Sequence, residues 1–182
     1  MNIDFTFENP TRIHFGRQAM NHLPEELKQY GTEVLLVYGR NSIKKNGIYD
    51  QVMQALLDTG KNVHELSGIN SNPRYSQVKE GCRLVREHRI DLILAVGGGS
   101  VIDCCKSIAA GAYCPEDPWQ YYFEAQKPVV CPVVPIGCVL TMAGTASEMN
   151  AGSVIKIIAC SCFCKQGQIT QEGVLGTGRC VH

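Results

Sequence analysis

The feature that most constrains this chain is an apolar run that ends in consecutive glycines. Residues 92–96 read Leu-Ile-Leu-Ala-Val, and Gly97, Gly98 and Gly99 follow them. An unbroken apolar run of this length is typical of a strand that is buried on both faces, as in a parallel sheet. Glycines permit φ > 0 and let a ligand lie directly against the backbone. The segment therefore predicts a buried strand that leads into a glycine turn.

A helix is predicted directly after this turn. Ser100 and Asp103 have the S-x-x-D spacing of a capping box, and apolar residues recur behind them at helical spacing. A helix N-terminus carries unpaired N–H groups and a partial positive charge, so it is suited to bind a phosphate or pyrophosphate. Dinucleotide binding is the first hypothesis, and a tight turn without a ligand is the alternative. The G-x-G-x-x-G fingerprint is not met, because Ile102 occupies its last glycine position.

Strand and helix patterns alternate along the chain, which predicts an α/β fold: a Rossmann-like parallel sheet with helices on both faces. The turns at Gly39, Gly97 and 135–147 then lie at the carboxyl ends of strands and converge on one cleft. A short hairpin is expected within 5–15, and residues 113–123 read as a polar loop rich in aromatic residues. The predicted strands are 34–37, 63–66, 91–96 and 129–134, and the predicted helices are 24–30 before Gly31, 48–56 before Gly60, 73–85 and 100–112.

The composition excludes several classes of protein. Seventeen basic residues balance seventeen acidic ones without a basic block, so neither nucleic acid nor a membrane is an expected partner. The first residues do not resemble a signal peptide, and prolines break the longest apolar stretch, 128–142. Six of the ten cysteines lie in ordinary helix or strand patterns and read as reduced thiols. A soluble cytoplasmic protein is expected.

Several short motifs follow one another along the chain in the order of a known protein family. They are 9–16 (NPTRIHFG), 37–50 (VYGRNSIKKNGIYD), Asn72-Pro73, 95–103 (AVGGGSVID) and 143–149 (AGTASEM). The combination closely resembles the iron-containing alcohol dehydrogenases, in particular the NAD(P)H-dependent butanol dehydrogenase branch. The resemblance implies that residues 1–155 form an N-terminal NAD(P)-binding domain of the dehydroquinate synthase-like type. It also implies hydride transfer between NADP or NAD and a small primary alcohol or aldehyde such as butanol or butanal.

The resemblance also implies roles for individual residues. Asp103 would lie close to the pyrophosphate, although as the third residue of a helix it is equally well read as a cap. The segment 39–47 contains Arg40, Lys44 and Lys45 but no acidic residue, which permits NADPH; a solvated basic loop is the alternative. Gly97, Gly98 and Ser100 would hold the pyrophosphate, Thr141 and Thr145 would line the nicotinamide side, and Gly39 and Ser42 would border the adenosine ribose.

The family pattern stops after Ile155. The resemblance implies Fe²⁺ or Zn²⁺ in an all-helical domain, held by an Asp and three His that begin as D-x-x-x-H. No His of this chain lies four residues after an Asp, so these ligands are absent and each His is read as structural. Residues 156–182 are expected to be an atypical tail, disordered or out of frame, and the chain is expected to show little turnover. An inactive nucleotide-binding fragment or an interaction module is the alternative, and a homodimer stays open. A metal half-site is a further reading of the tail, from Cys160, Cys162, Cys164 and Cys180.

Overall fold

The computed structural model describes residues 11–157 together with the backbone of 160–165 and 174–176. Six strands form one parallel sheet in the order β1-β8-β5-β4-β2-β3, and β6 pairs with β7 in a separate antiparallel pair. The strands are β1 (Ile13–His14), β2 (Glu33–Tyr38), β3 (Asn62–Leu66), β4 (Leu92–Gly97), β5 (Ile136–Leu140), β6 (Gly152–Ile157), β7 (Cys160–Lys165) and β8 (Val174–Gly176). The α-helices are α1 (Leu23–Leu27), α2 (Ser42–Lys45), α3 (Ile48–Asp58), α4 (Tyr75–His88) and α5 (Gly99–Gly111).

Helices cover both faces of the sheet, which confirms the predicted fold class. Successive residues of a strand point to opposite faces, so each buried strand supplies two cores. On β2, Leu35 and Val37 pack with residues of α4 and α5. Leu36 and Tyr38 belong to a second core with residues of α1 and α3. Burial on both faces explains why β2 and β4 are continuous apolar runs rather than alternating ones.

The strand order reverses between β2 and β4. The chain runs from β2 outward to β3, returns through α4 to β4 on the other side of β2, and continues to β5. The register pairs Tyr38 with Val96, so both strands reach the carboxyl edge of the sheet together. Ligands of open α/β sheets bind where two neighbouring connections diverge in this way. In this fold the divergence lies in the crevice beside Gly39 and Gly97, where a ligand is expected.

Two predicted elements in the second half of the described chain are wrong. The strand predicted at 129–134 is irregular, and the sheet uses Ile136–Leu140 instead. Pro132 and Pro135 have no N–H group for a strand ladder, which explains the shift. The predicted polar loop 113–123 contains the start of a π-helical segment, Trp119–Glu124, whose aromatic side chains are buried in the core.

Near the amino end, α1 stops at Leu27 and Gly31 does not act as its left-handed cap. The strand β1 pairs in parallel with β8, and the first half of the hairpin predicted within 5–15 falls on residues 1–10, which lie outside the described part, so the hairpin stays a prediction. Six cysteines of the described chain are free thiols, as predicted. Among the described residues, no helix is long and apolar enough to cross a bilayer. The side chains of 158–182 lie outside the description, so the reading of the four tail cysteines stays a prediction.

Candidate functional site

The start of α5 forms the centre of the crevice. Gly98 is the N-cap, and its carbonyl accepts hydrogen bonds from Val101 and Ile102. The N–H groups of the residues just before Val101 have no acceptor within the helix and lie at the carboxyl edge of the sheet. The predicted capping box is wrong, because the helix begins before Ser100. The Ser100 hydroxyl instead donates to the carbonyl of Ser71, which joins the helix start to the loop before α4.

The three glycines of the turn differ in the space around them, and none of them has a positive φ. A Cβ on Gly97 would lie 2.6 Å from Cγ2 of Val101, so this glycine lets the strand pack against the helix. A Cβ on Gly99 would lie 2.5 Å from Oγ1 of Thr145. A Cβ on Gly98 would meet only Cβ of Met142, at 4.0 Å, which is ordinary contact. Gly98 is thus the glycine whose bare backbone faces open space.

The segment after β5 forms one wall of the crevice. The N–H of Thr141 donates to the carbonyl of Gly97 at 3.0 Å, which joins this wall to the turn. The hydroxyl of Thr145 lies 2.8 Å from that of Ser147, and both lie close to Gly99. The predicted residues Gly97, Gly98, Thr141 and Thr145 therefore come together around the helix start.

The loop after β2 forms the other wall. The carbonyl of Gly39 accepts a hydrogen bond from the N–H of Gly68, at 2.9 Å. Ser42 begins α2 and is exposed at the same edge. Arg40 donates to Oδ1 of Asn70 at 3.2 Å, and Nζ of Lys44 lies 4.5 Å from the ring centroid of Tyr49. Gly39 and Ser42 thus lie at the same edge as the turn, although no described side-chain contact joins Ser42 to it.

Asp103 lies further along α5 and contacts other parts of the protein. Its Oδ2 accepts the N–H of Val154 in β6 at 3.1 Å. Its Oδ1 forms an ion pair with Nζ of Lys106 at 3.2 Å; within the described part that oxygen has no hydrogen bond of good geometry. Burial lowers the pKa of Lys106, and the Asp103 carboxylate opposes this shift. The capping interpretation of Asp103 is therefore wrong, and the carboxylate serves a buried ion pair.

Sequence reasoning missed two residues of this wall, Lys106 and Asn150. Nζ of Lys106 donates to the Asn150 side chain at 3.1 Å, and the Asn150 amide donates to the carbonyl of Ala146 at 2.8 Å. The spacing of Asp103 and Lys106, one helical turn apart, is the signal that was present in the sequence. Such a pair is usually exposed, and only the tertiary structure shows that this one is buried.

No metal site is found in the part of the chain that the structure describes. None of its His, Cys, Asp and Glu residues form a group of three or more that could hold an ion. His14 bonds with Glu26 at 3.0 Å, and His64 bonds with Glu33 at 2.8 Å. The described residues therefore do not fit the metal that the family resemblance implies, whereas the open glycine turn fits a diphosphate.

Comparison with known proteins identifies the family. The sequence pattern of "Iron-containing alcohol dehydrogenase" matches residues 10–159. This chain belongs to the iron-containing alcohol dehydrogenase family. A probable NADH-dependent butanol dehydrogenase of Bacillus subtilis is 53% identical over 152 residues, which are 84% of this chain and 39% of that protein. An NADPH-dependent aldehyde reductase of Escherichia coli is 45% identical over 154 residues, again 84% of this chain and 39% of the relative.

Solved structures of iron-containing alcohol dehydrogenases share the fold. An NADH-dependent butanol dehydrogenase from Thermotoga maritima superposes with a TM-score of 0.86 at 35% identity, over 94% of this chain and 44% of that one. The resemblance to the butanol dehydrogenase branch is thereby confirmed. The chain spans about two fifths of the length of these curated relatives.

Proposed function

We propose that this chain is the cofactor-binding part of an NAD(P)H-dependent alcohol dehydrogenase that acts on small primary alcohols and aldehydes, such as butanol and butanal. One observation carries the proposal: the start of α5 lies at the reversal of strand order with the bare backbone of Gly98 facing open space. Backbone N–H groups at such a helix start donate to a diphosphate, and the helix dipole favours its negative charge. The names of the relatives, butanol dehydrogenase and aldehyde reductase, support the substrate class.

In this proposal each wall of the crevice holds one half of the cofactor. The amides of the glycine turn and Ser100 bind the diphosphate, Thr141 and Thr145 lie along the nicotinamide, and Gly39 and Ser42 lie along the adenosine ribose. The bound cofactor supplies or accepts the hydride, and the residues of this chain orient it. Iron or zinc belongs to the proposed activity, but no residue of this chain is assigned to the metal. Residues 1–155 are proposed as the cofactor domain, and six free thiols support a cytoplasmic location.

The test is a fluorescence titration of the 182-residue chain with NADPH and NADH, with and without Zn²⁺ or Fe²⁺. We expect saturable binding that does not need the metal, and no reduction of butanal by this chain alone. Gly98→Ala should weaken binding about tenfold, because a methyl group would separate the diphosphate from the amides. Its thermal midpoint should fall by no more than about 4 °C, because alanine is a poorer N-cap than glycine, and Ser76→Ala on the exposed face of α4 is the control. Absence of saturable binding by the unaltered chain would refute the proposal, and turnover comparable to that of full-length relatives would contradict the expected inactivity.

We also propose that the crevice accepts NADPH. The relatives are named for either NADH or NADPH, so the argument rests on the loop after β2, where Arg40 is exposed and no carboxylate is present in 39–47. Arg40→Ala should weaken NADPH binding about threefold, the loss expected for one exposed ion pair, and should leave NADH binding unchanged. Lys79→Ala, an exposed cation on α4, is the matched control. An equal loss for both cofactors would argue against a 2′-phosphate contact at Arg40.

A further inference from the structure

We propose that Lys106 is a positioning residue for the nicotinamide side of the crevice, a role that rests on the function proposed above. Its ammonium group holds the segment 147–152 against α5. That segment in turn determines where Thr145 lies beside Gly99. Lys106 touches neither the proposed diphosphate site nor the reacting groups, so its influence on the cofactor passes through this wall.

Lys106 is a buried charge. The side chain of Lys106 is 0% exposed and lies in the middle of α5, next to the buried thiol of Cys105. An ammonium group that is removed from water destabilises a fold unless oxygen atoms replace its hydration shell. The pair with Asp103 supplies one such oxygen, and other oxygens must supply the rest of that shell.

The remaining oxygens around the ammonium group come from the segment before β6. Nζ of Lys106 donates to the carbonyls of Ser147 at 3.0 Å and Asn150 at 3.2 Å, to Oδ1 of Asn150 at 3.1 Å, and to the carbonyl of Gly152 at a shorter distance. An ammonium group has only three N–H donors. Some of these oxygens therefore stabilise its charge by proximity rather than by a hydrogen bond of their own. All of these oxygens belong to the one segment that joins the crevice wall to β6. Lys106 therefore fixes this segment rather than a set of unrelated loops.

The segment before β6 needs such an anchor. Residues 142–146 are exposed and form only bends and irregular backbone, and Ala146 has a φ of 50°, a left-handed conformation that is costly for a residue with a Cβ. Asn150 maintains the turn: its amide donates to the carbonyl of Ala146, while its own oxygen accepts from Lys106 and from the N–H of Gly152 at 2.9 Å. Removing the ammonium group would release Asn150, then the turn, and then the hydroxyl of Thr145.

The effect should be confined to one side of the crevice. The loop at Gly39 is held by the N–H groups of Gly68 and Ile69, with no described contact to Lys106. The helix start is fixed by Gly98 and by the bond from Ser100 to Ser71. The sites proposed for the adenosine and the diphosphate should therefore survive a change at Lys106, while the nicotinamide side loosens. This asymmetry distinguishes positioning from a general loss of folding.

The experiment measures NADPH and ADP binding by the 182-residue chain and by Lys106→Met, with Lys61→Met as the matched control. Lys61 is a second buried lysine, at the opposite edge of the sheet, where it donates to the carbonyls of Tyr30 and Gly31. We expect Lys106→Met to weaken NADPH binding about tenfold, which corresponds to about 1.4 kcal/mol, and ADP binding less than about twofold. Lys61→Met should change neither affinity by more than about twofold.

Other results of this experiment would contradict either the role of Lys106 or the proposed function. Unchanged NADPH binding by Lys106→Met would overturn the inference, and so would equal losses for NADPH and ADP or an equal loss in Lys61→Met. If the unaltered chain bound neither ligand, the proposed function itself would fail. If Lys106→Met did not fold, Asn150→Ala would decide, because Asn150 is exposed and its loss removes one arm of the anchor. Asn150→Ala should weaken NADPH binding about threefold and spare ADP, and unaltered NADPH binding would overturn the inference.

Discussion

Both edges of the parallel sheet are tied by a buried lysine, but the two edges differ in what they leave open. At the amino edge, Lys61 donates to the carbonyls of Tyr30 and Gly31 at 2.7 and 2.8 Å and holds the loop that enters β2. On the side of the carboxyl edge, Lys106 in the middle of α5 holds the segment that follows β5 and is paired with Asp103 at 3.2 Å. Burial lowers the pKa of both lysines. Among the described ion pairs, only Lys106 has a carboxylate partner. Removing the positive charge should therefore affect the stability differently at Lys61 and at Lys106.

The glycines at the two edges show the same contrast. A Cβ on Gly31 would lie 2.1 Å from Oδ2 of Asp91, a side chain that also accepts the N–H of Glu33. The amino edge is thus filled by side chains from neighbouring strands. A Cβ on Gly98 would meet nothing closer than 4.0 Å, so the carboxyl edge presents backbone to open space. The amino edge is therefore filled by a side chain at Gly31, whereas the carboxyl edge has room at Gly98 for the proposed ligand.

The largest effect should come from breaking the buried ion pair at the carboxyl edge. Lys106→Met leaves the Asp103 carboxylate without its partner, and we expect a loss of about 3 kcal/mol in the free energy of unfolding. Lys61→Met removes the ammonium group that donates to two neutral carbonyls and should cost about 1 kcal/mol. Urea unfolding measures both values. In the double variant Lys106→Met with Asp103→Asn, the loss should be smaller than the sum of the two single losses. Equal costs for the two lysines would remove the distinction between the edges.

The next effect concerns the two tightly packed glycines. Gly97→Ala forces a methyl group against Val101, which is buried and β-branched and therefore has little freedom at χ1. We expect a loss of about 2 kcal/mol in the free energy of unfolding. Gly31→Ala creates a closer contact, but with the exposed carboxylate of Asp91, which can turn away and give up its bond to Glu33. It should cost about 1 kcal/mol. Thermal and urea unfolding would contradict this ranking if Gly31→Ala were the more damaging change.

The central strands could be predicted because their signal is local. The runs at 34–37 and 92–96 are continuous and apolar, and such runs are typical of strands buried on both faces. The strand Ile136–Leu140 is harder to predict because Gly137 interrupts its apolar pattern. The run at 129–134 is the more continuous apolar segment, but its prolines disfavour a strand. Residues 113–123 read as a polar loop because the burial of the aromatic segment Trp119–Glu124 depends on packing against distant elements.

The residues of the candidate site also differ in how well the sequence predicts them. The turn at Gly97 and Gly98 could be found because glycines next to a buried strand are a local signal. Lys106 could not be found in this way, because its partners Asn150 and Gly152 lie 44 and 46 residues further along the chain. A lysine three residues after an aspartate reads as an exposed pair until β6 is known to cover it. The amino acids that support the crevice are therefore harder to predict than those that line it.

The smallest effect should appear at the amino edge, in acid. Hydrogen bonds from the side chains of Asn62 and then His64 lower the pKa of Glu33 from its ordinary value of 4.5. A carboxylate with a depressed pKa in the folded state adds stability that is complete above the unfolded pKa and is lost as the pH falls through the folded one. Because Glu33 lies at the surface, the contribution is small and sensitive to salt. Urea unfolding between about pH 3 and 6 should show a shallower acid decline for Glu33→Gln than for the unaltered chain, and Asn62→Ala should act in the same direction. Identical declines for Glu33→Gln and the unaltered chain would mean that this carboxylate does not contribute to the closure of the amino edge.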